Sequence, residues 1–404
     1  MARTEFANRT VVMLCREMGV TQQETQLIRL YAAREQNPAA WEALFRSITM
    51  ETADFPLNYM LARLAARFDW NCVPEDLVPR LKGVRKYFLV RNVTLLSRAT
   101  KVLAALAEAG VPLLVVKGGA LRMGLLPDIP QKMADVDVVV PKERFDECRE
   151  LLAARGFGVE GYWSHSVDVS DAQGNCVDVH WCVFKNNMHG EEPTQLIVER
   201  GTQVTSHGVT VSVPSPEDAF LKTVANAADN FSLVQNGKGP ISWLADCIDL
   251  SERYELSYPD IVDHAQEYGA LPELRLGLAL ARHLVPGIFP ELEELAGSSV
   301  DERTFRRIRA AQKRFAVSDE EFTVYPAPRH LLHAFRLIYH ENACSYHLGD
   351  PASKVISSYV GLLSDRLRNY DNIEHVWEIP GLVAHRAEVW AERRREASGN
   401  DVQD

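Results

Sequence analysis

Residues 112–140 read PLLVVKGGALRMGLLPDIPQKMADVDVVV, and the apolar runs at the two ends of this stretch decide the fold. The first run, 112–116, is short, apolar and bounded by turn formers, which predicts a buried strand. Lys117, Gly118 and Gly119 close that strand and open a short helix predicted over 120–126. At the other end, acidic and apolar residues alternate from Asp135 to Val140. Successive side chains of a strand point to opposite faces. Asp135 and Asp137 therefore share one face, and Val136, Val138 and Val140 share the other, turned into a core. Two carboxylates on one face beside a buried sheet repel each other, and one is driven towards protonation unless a cation lies between them. Magnesium suits that place, being satisfied by one or two carboxylates plus water and substrate phosphates. Taken alone, Asp-x-Asp reads more simply as a solvated acidic edge strand.

A second acidic strand changes the weighting. Cys176, Val177, Asp178, Val179, His180 and Trp181 alternate in the same way, so Asp178 and His180 share a face. If this strand lies beside the first, Asp178 joins Asp135 and Asp137. Three carboxylates can hold two Mg2+ ions about 3.5–4 Å apart, one on a triphosphate and one on an attacking hydroxyl. Lys117-Gly118-Gly119 adds a cation suited to β- or γ-phosphate and glycines that let backbone approach phosphate oxygens. The N–H groups of the following helix start also favour anions. The spacing is not that of a Walker A loop.

Outward from this stretch, both flanks read as helical. Towards the N-terminus, Thr21 and Glu24 form a capping-box pattern. An apolar stripe predicts a helix over 56–68, and Leu96, Ala99, Val102, Leu103 and Leu106 predict another that Gly110 ends. These helices read as a cover over the neighbouring domain. Towards the C-terminus, helix is predicted over 141–155. Strands follow over 158–169 and 175–183, joined by a turn at 171–175, and a further β-pair over 202–213 turns at His207-Gly208. Ser215-Pro216-Glu217-Asp218 is a helix start with a cap, a proline and acidic residues at the positive end of the dipole. Ser257 starts another helix that Gly269 ends. The expected fold class is α+β, a small mixed β-sheet core flanked by N-terminal and C-terminal helical regions. The expected domains are 1–95 helical, 96–213 the α/β core, 214–386 helical, and 387–404 a polar tail.

Bulk properties narrow the function. Over 404 residues, a hydrophobic fraction of 46% leaves room for a real core, while the net charge of −11 argues against non-specific nucleic-acid binding. Seven scattered cysteines without a CxxC pair are an odd number for a disulfide framework, so reduced buried thiols are expected. There is no signal-peptide architecture in residues 1–20 and no uncharged apolar run near the roughly 20 residues a bilayer requires. A cytoplasmic protein with no membrane partner is expected. His340, Cys344 and His347 suggest no convincing zinc set, His165 reads as solvent-facing, and Arg393, Arg394 and Arg395 read as a solvated tail.

The three motifs together resemble a family. Lys117-Gly118-Gly119, then Asp135-Val136-Asp137, then Asp178-Val179-His180-Trp181 follow the order of the DNA polymerase beta-like nucleotidyltransferase superfamily. They more closely resemble an uncharacterised bacterial nucleotidyltransferase family with a Lys-Gly loop, an Asp-x-Asp strand and an Asp-x-His-Trp strand. The resemblance spans roughly residues 95–250. It implies Mg2+-dependent transfer of a nucleoside monophosphate from a nucleoside triphosphate such as ATP. It further implies that Asp135, Asp137 and Asp178 are catalytic metal ligands and that Lys117, Gly118, Gly119, Lys132 and His180 line the nucleotide. Lys132 stands where the family tends to carry an arginine, keeping the charge without the bidentate fork. Trp243 and Asp246 resemble the family's Trp-x-x-Asp helix; Asp246 and Lys222 are read as helix-surface charges or an ion pair ahead of cleft-facing groups. The acidic chain favours a small-molecule or peptide acceptor, with pyrophosphate as the leaving group. Two other readings stay open: a catalytically degenerate nucleotide- or partner-binding protein, and a metal-dependent phosphohydrolase.

Overall fold

The computed structural model describes residues 20–33, 37–48, 55–68, 70–71, 73–163, 166–184, 193–233 and 241–297. All of them belong to one compact unit that ends at Glu302. The expectations for His165, His340, Cys344, His347 and the polar tail lie outside the described residues, as does the division at 386.

Among the described residues, four helices precede the sheet: α1 (Gln22–Ala32), α2 (Pro38–Ser47), α3 (Phe55–Arg67) and α4 (Val78–Glu108). The capping box at the start of α1 is formed: Glu24 N donates to Thr21 Oγ1 at 3.1 Å, and Thr21 N donates to Glu24 Oε2 at 2.8 Å. The expected domain boundary at residue 95 falls inside α4. The second half of α4 lays Leu95, Leu96, Ala99, Val102, Leu103 and Leu106 against the sheet core. Gly110, at φ 69, turns the chain out of the helix in the left-handed region that glycine tolerates.

The described residues carry a seven-stranded mixed sheet in the order β3-β4-β5-β2-β1-β7-β6. The strands are β1 (Leu114–Val115), β2 (Val136–Val139), β3 (Gly158–Trp163), β4 (Ser166–Asp171), β5 (Gly174–His180), β6 (Thr202–Ser206) and β7 (Val209–Val213). β1 runs antiparallel to β2 and parallel to β7, and β2 runs parallel to β5. The alternation read from sequence holds: Val136, Val138, Val167, Val169, Val177 and Val179 form one core cluster with α4. The β6–β7 hairpin turns on His207 and Gly208, both at positive φ, 50 and 83. That is the primed two-residue turn that matches the twist of paired strands.

Three expectations need correction. The single strand predicted over 158–169 is two strands, β3 and β4, so the segment forms an antiparallel three-stranded meander with β5. Its period-2 pattern runs on through Val167 and Val169, and no proline or glycine between Trp163 and Ser166 marks the reversal. The helix predicted from Ala120 begins earlier, as a single α-turn α5 (Lys117–Ala120) followed by a π-helical turn, Leu121–Leu125. The predicted helix over 141–155 is a 3-10 turn, Lys142–Arg144, leading into α6 (Phe145–Ala154).

Helices α7 (Thr194–Arg200), α8 (Pro216–Leu233), α9 (Ser242–Arg253), α10 (Tyr258–Glu267), α11 (Leu271–Leu284) and α12 (Pro290–Ala296) are the remaining helices among the described residues. Ser215 Oγ accepts from Asp218 N at 3.1 Å, the start read from sequence. Among the described residues, the free cysteines Cys148, Cys176, Cys182 and Cys247 are buried, and no helix is long and apolar enough to cross a membrane.

One buried charge network joins α1, α3 and α9. Arg63, 3% exposed, donates from Nη1 to Asp246 Oδ1 at 2.7 Å and pairs through Nη2 with Asp249. Its Nε reaches Tyr31 Oη at 3.1 Å. Asp249 also accepts from Arg67 Nη1 at 2.9 Å and from Tyr31 Oη at 2.7 Å. Removing one partner of such a network strands an uncompensated charge. Asp249→Ala is therefore expected to lower the unfolding free energy by about 3–5 kcal/mol in urea denaturation; a loss below about 1 kcal/mol would show that the network contributes no net stability.

Candidate active site

The site is built where β2 and β5 lie side by side. Their parallel register places Asp137 directly opposite Asp178 and Val139 opposite His180. His180 Nε2 lies 3.0 Å from Asp137 Oδ1 and 2.9 Å from Asp178 Oδ2. Asp137, Asp178 and His180 thus converge closely enough to hold one metal ion. Asp135, one residue before β2, is outside that trio and instead lines a cavity of about 230 Å³ together with Asp137. The structure therefore divides the three carboxylates around Asp137, which belongs to both groups.

Lys117 stands at the end of the β1 run, and its Nζ forms an ion pair with Asp137 Oδ1. Its φ of 53 lies in the left-handed region, rare for a residue with a side chain. Strain of this kind persists where the surroundings over-determine it, and it gathers at functional sites. The charges sort accordingly. Burial alone would raise the Asp137 pKa, but Lys117 and the His180 hydrogen bond hold it below the usual carboxylate range. Burial lowers the His180 pKa, yet its bonds to Asp137 and Asp178 leave it raised overall. Asp135 is pushed up to about 6, first by burial and then by the like charges of Asp137 and Asp178. Asp178 Oδ1 is buried and has no hydrogen-bond partner.

Sequence reading did not single out a fourth carboxylate. β4 pairs Asp168 with Asp178, so Asp168, Asp178 and Asp137 form a row across three strands. Asp168 adds to the repulsion on Asp135 and accepts from Asn175 Nδ2 at 3.1 Å. The signal was present in Val167-Asp168-Val169, the same alternation as the other two acidic strands.

Gly118 and Lys132 line the cavity, and Gly119 lies in the sheet packing behind it. A Cβ on Gly119 would come within 2.8 Å of Val115 Cγ1 and 3.1 Å of Val136 Cγ1. A Cβ on Gly118 would meet Met133 Cγ at 2.7 Å. Close packing thus bears on both glycines, Gly119 against two β-branched valines and Gly118 against a flexible methionine side chain. The Lys132 segment is fixed from behind. Asn92, fully buried on α4, donates to Gln131 O and accepts from Gln131 N, each at 2.7 Å. Tyr59 Oη donates to Pro130 O at 2.7 Å.

The far wall of the cavity is helical. Thr223, Asn226, Ser242, Trp243, Asp246 and Tyr59 supply it. Asp246 is thus both the ion-pair partner of Arg63 and a cavity residue. Lys222 is buried with its Nζ 5.1 Å from the Phe184 ring centroid, and it is not in the cavity lining.

The class of the protein is nucleotidyltransferase. The chain belongs to the family described as "Uncharacterised nucleotidyltransferase", whose model matches residues 38–286. Two solved structures of the antibiotic-resistance factor ANT(2″)-Ia are similar in part. The solution structure is 19% identical, with 45% of this chain and 95% of that one covered and a TM-score of 0.33. The crystal structure in complex with adenylyl-2″-tobramycin is 17% identical, with 55% and 97% covered and a TM-score of 0.24. No curated protein matches the sequence.

The two glycines should respond differently to a methyl group. Gly119→Ala forces two β-branched core side chains apart and is expected to destabilise by about 1–3 kcal/mol. Gly118→Ala meets a flexible methionine and should cost less than about 1 kcal/mol. Urea midpoints of the two variants check this, and equal losses would contradict it.

Proposed function

We propose that the chain transfers a nucleoside monophosphate from a nucleoside triphosphate to a hydroxyl or similar acceptor on a small molecule or peptide, releasing pyrophosphate. The observation that carries this reading is the register pairing of Asp137 with Asp178, where Asp137 lines one cavity together with Asp135 and Lys117. The residues fit a divalent cation. A buried carboxylate oxygen without a partner, on Asp178, and a carboxyl pushed up by burial and then by like charge, on Asp135, are both relieved by positive charge beside them. Asp135, Asp137 and Asp178 would hold Mg2+, the hard cation that oxygen ligands suit, with two ions expected. Bound magnesium supplies charge neutralisation on the phosphates and a lowered pKa for the attacking hydroxyl.

The chain's own side chains supply positioning. Lys117 brings its ammonium to the cavity beside Asp137, where a β- or γ-phosphate oxygen can take it up. Lys132 offers a second cation from a backbone clamped by Asn92 and Tyr59, so little ordering is left for binding to impose. His180, bonded to two carboxylates, keeps both in one orientation as outer-shell partners of a metal site do. The net charge of −11 favours a small or peptide acceptor over nucleic acid.

The test uses the full chain with Mg2+ and labelled ATP, GTP, CTP and UTP, offered panels of hydroxyl-bearing small molecules and peptides. Label is expected to enter an acceptor with pyrophosphate release. Asp135→Asn and Asp137→Asn should each slow transfer by about a hundredfold or more, since a metal ion contributes several kcal/mol to such a step. Tight binding without transfer would point to the degenerate reading. Orthophosphate release without any acceptor would point to a phosphohydrolase.

A further inference from the structure

The cavity lining has two unlike parts. Asp135, Asp137, Lys117 and the 131–134 segment supply one part, which the proposed function uses, and the Gln131 side chain reaches Asp246 of the other part. The helical part, with Asp246, Trp243 and Asn226, is so far without a role.

Asp246 stands apart from the other carboxylates. Its side chain is 13% exposed and accepts from Arg63 Nη1 at 2.7 Å. Arg63 lies behind it and is itself held by Asp249, Tyr31 and Tyr59. The guanidinium therefore cannot follow a ligand, and Asp246 stays a fixed acceptor at the cavity wall. An ion pair that only joined helices would gain nothing from opening onto a cavity, because buried pairs are often replaceable by apolar contacts without loss. A carboxylate there is worth its desolvation when a ligand brings hydrogen-bond donors to it. Trp243 lines the same wall and adds an aromatic surface against which a flat ring can pack. A flat ring with donors on its edge, tethered to a triphosphate in the same cavity, is a nucleobase.

We propose that Asp246 reads the base of the bound nucleoside triphosphate and selects the edge richest in donors, that of guanine. The proposal rests on the reading that phosphates occupy the carboxylate and lysine part. An ionised carboxylate only accepts. Guanine presents N1–H and the N2 amino group side by side. Adenine and cytosine present one amino group next to an acceptor nitrogen that repels a carboxylate. In uracil the single N3–H lies between two carbonyl oxygens.

Equilibrium dialysis of the full chain in Mg2+ against labelled GTP, ATP, CTP, UTP and ITP tests this. GTP is expected to bind tightest and UTP weakest. ITP, which is GTP without the N2 amino group, should bind about tenfold more weakly than GTP, the scale of one charge-assisted hydrogen bond. In Asp246→Asn, GTP should fall to within about threefold of ITP, with a circular dichroism spectrum like that of the wild type. The comparison of GTP with ITP needs no variant, so it decides the matter even if Asp246→Asn does not fold. Equal affinities in the wild type, another nucleotide binding more tightly than GTP, or a folded Asp246→Asn that keeps the full preference would each overturn the base reading and leave the wall to the acceptor. If none of the five binds, or if Asp137→Asn binds them as tightly as the wild type, the phosphate part is misassigned. The proposed function then falls first, and the base reading with it.

Discussion

Two negative charges held side by side are the condition to which the rest of this structure answers. Parallel pairing of β2 with β5 fixes Asp137 against Asp178, and neither strand can slip without turning its valines out of the core. The repulsion is met locally by the Lys117 ammonium from the end of β1 and by the His180 ring nitrogen from β5 itself. Lys117 reaches Asp137 only because β1 is the other neighbour of β2 and because its backbone accepts a left-handed conformation. The meander of β3, β4 and β5 is likewise needed to bring β5 back parallel to β2, and it adds Asp168 to the acidic row.

Much of this was legible in local patterns. The alternation around Asp137 and Asp178, the cap at Thr21, the helix start at Ser215 and the turn at His207-Gly208 each depend on neighbours within a few residues, and each appears in the structure. What escaped depends on distance or on missing punctuation. The reversal between β3 and β4 carries no turn former, so the alternating pattern read straight through it. Asn92, Tyr59 and Arg63 are polar residues of helical stretches, and periodicity says at most that such positions face inward. Their partners, Gln131, Pro130 and Asp246, lie 39, 71 and 183 residues away. The glycine pair was read for what it allows a phosphate, whereas the contacts show first what it allows Val115, Val136 and Met133.

The N-terminal helices are accordingly more than a cover. α3 supplies Tyr59 to the cavity wall and Arg63 to the network beneath Asp246. The family match begins at residue 38, ahead of both. The sheet provides one wall of the cavity and the helices on either side of it in sequence provide the other, so neither part holds the complete site.

The 31 residues of α4 also have a mechanical meaning. At 1.5 Å per residue the helix is a rod of about 46 Å. Its far half is sunk in the valine core, and Asn92, near the middle, grips the peptide of Gln131 from both sides. A ligand that pushed on the 131–134 segment would be pushing on this rod, and through it on the whole sheet. The mouth of the cavity is therefore as stiff as the core to which it is bolted. On the proposed function, selectivity would come from shape and charge set during folding, with little left to adjust on arrival of a guest.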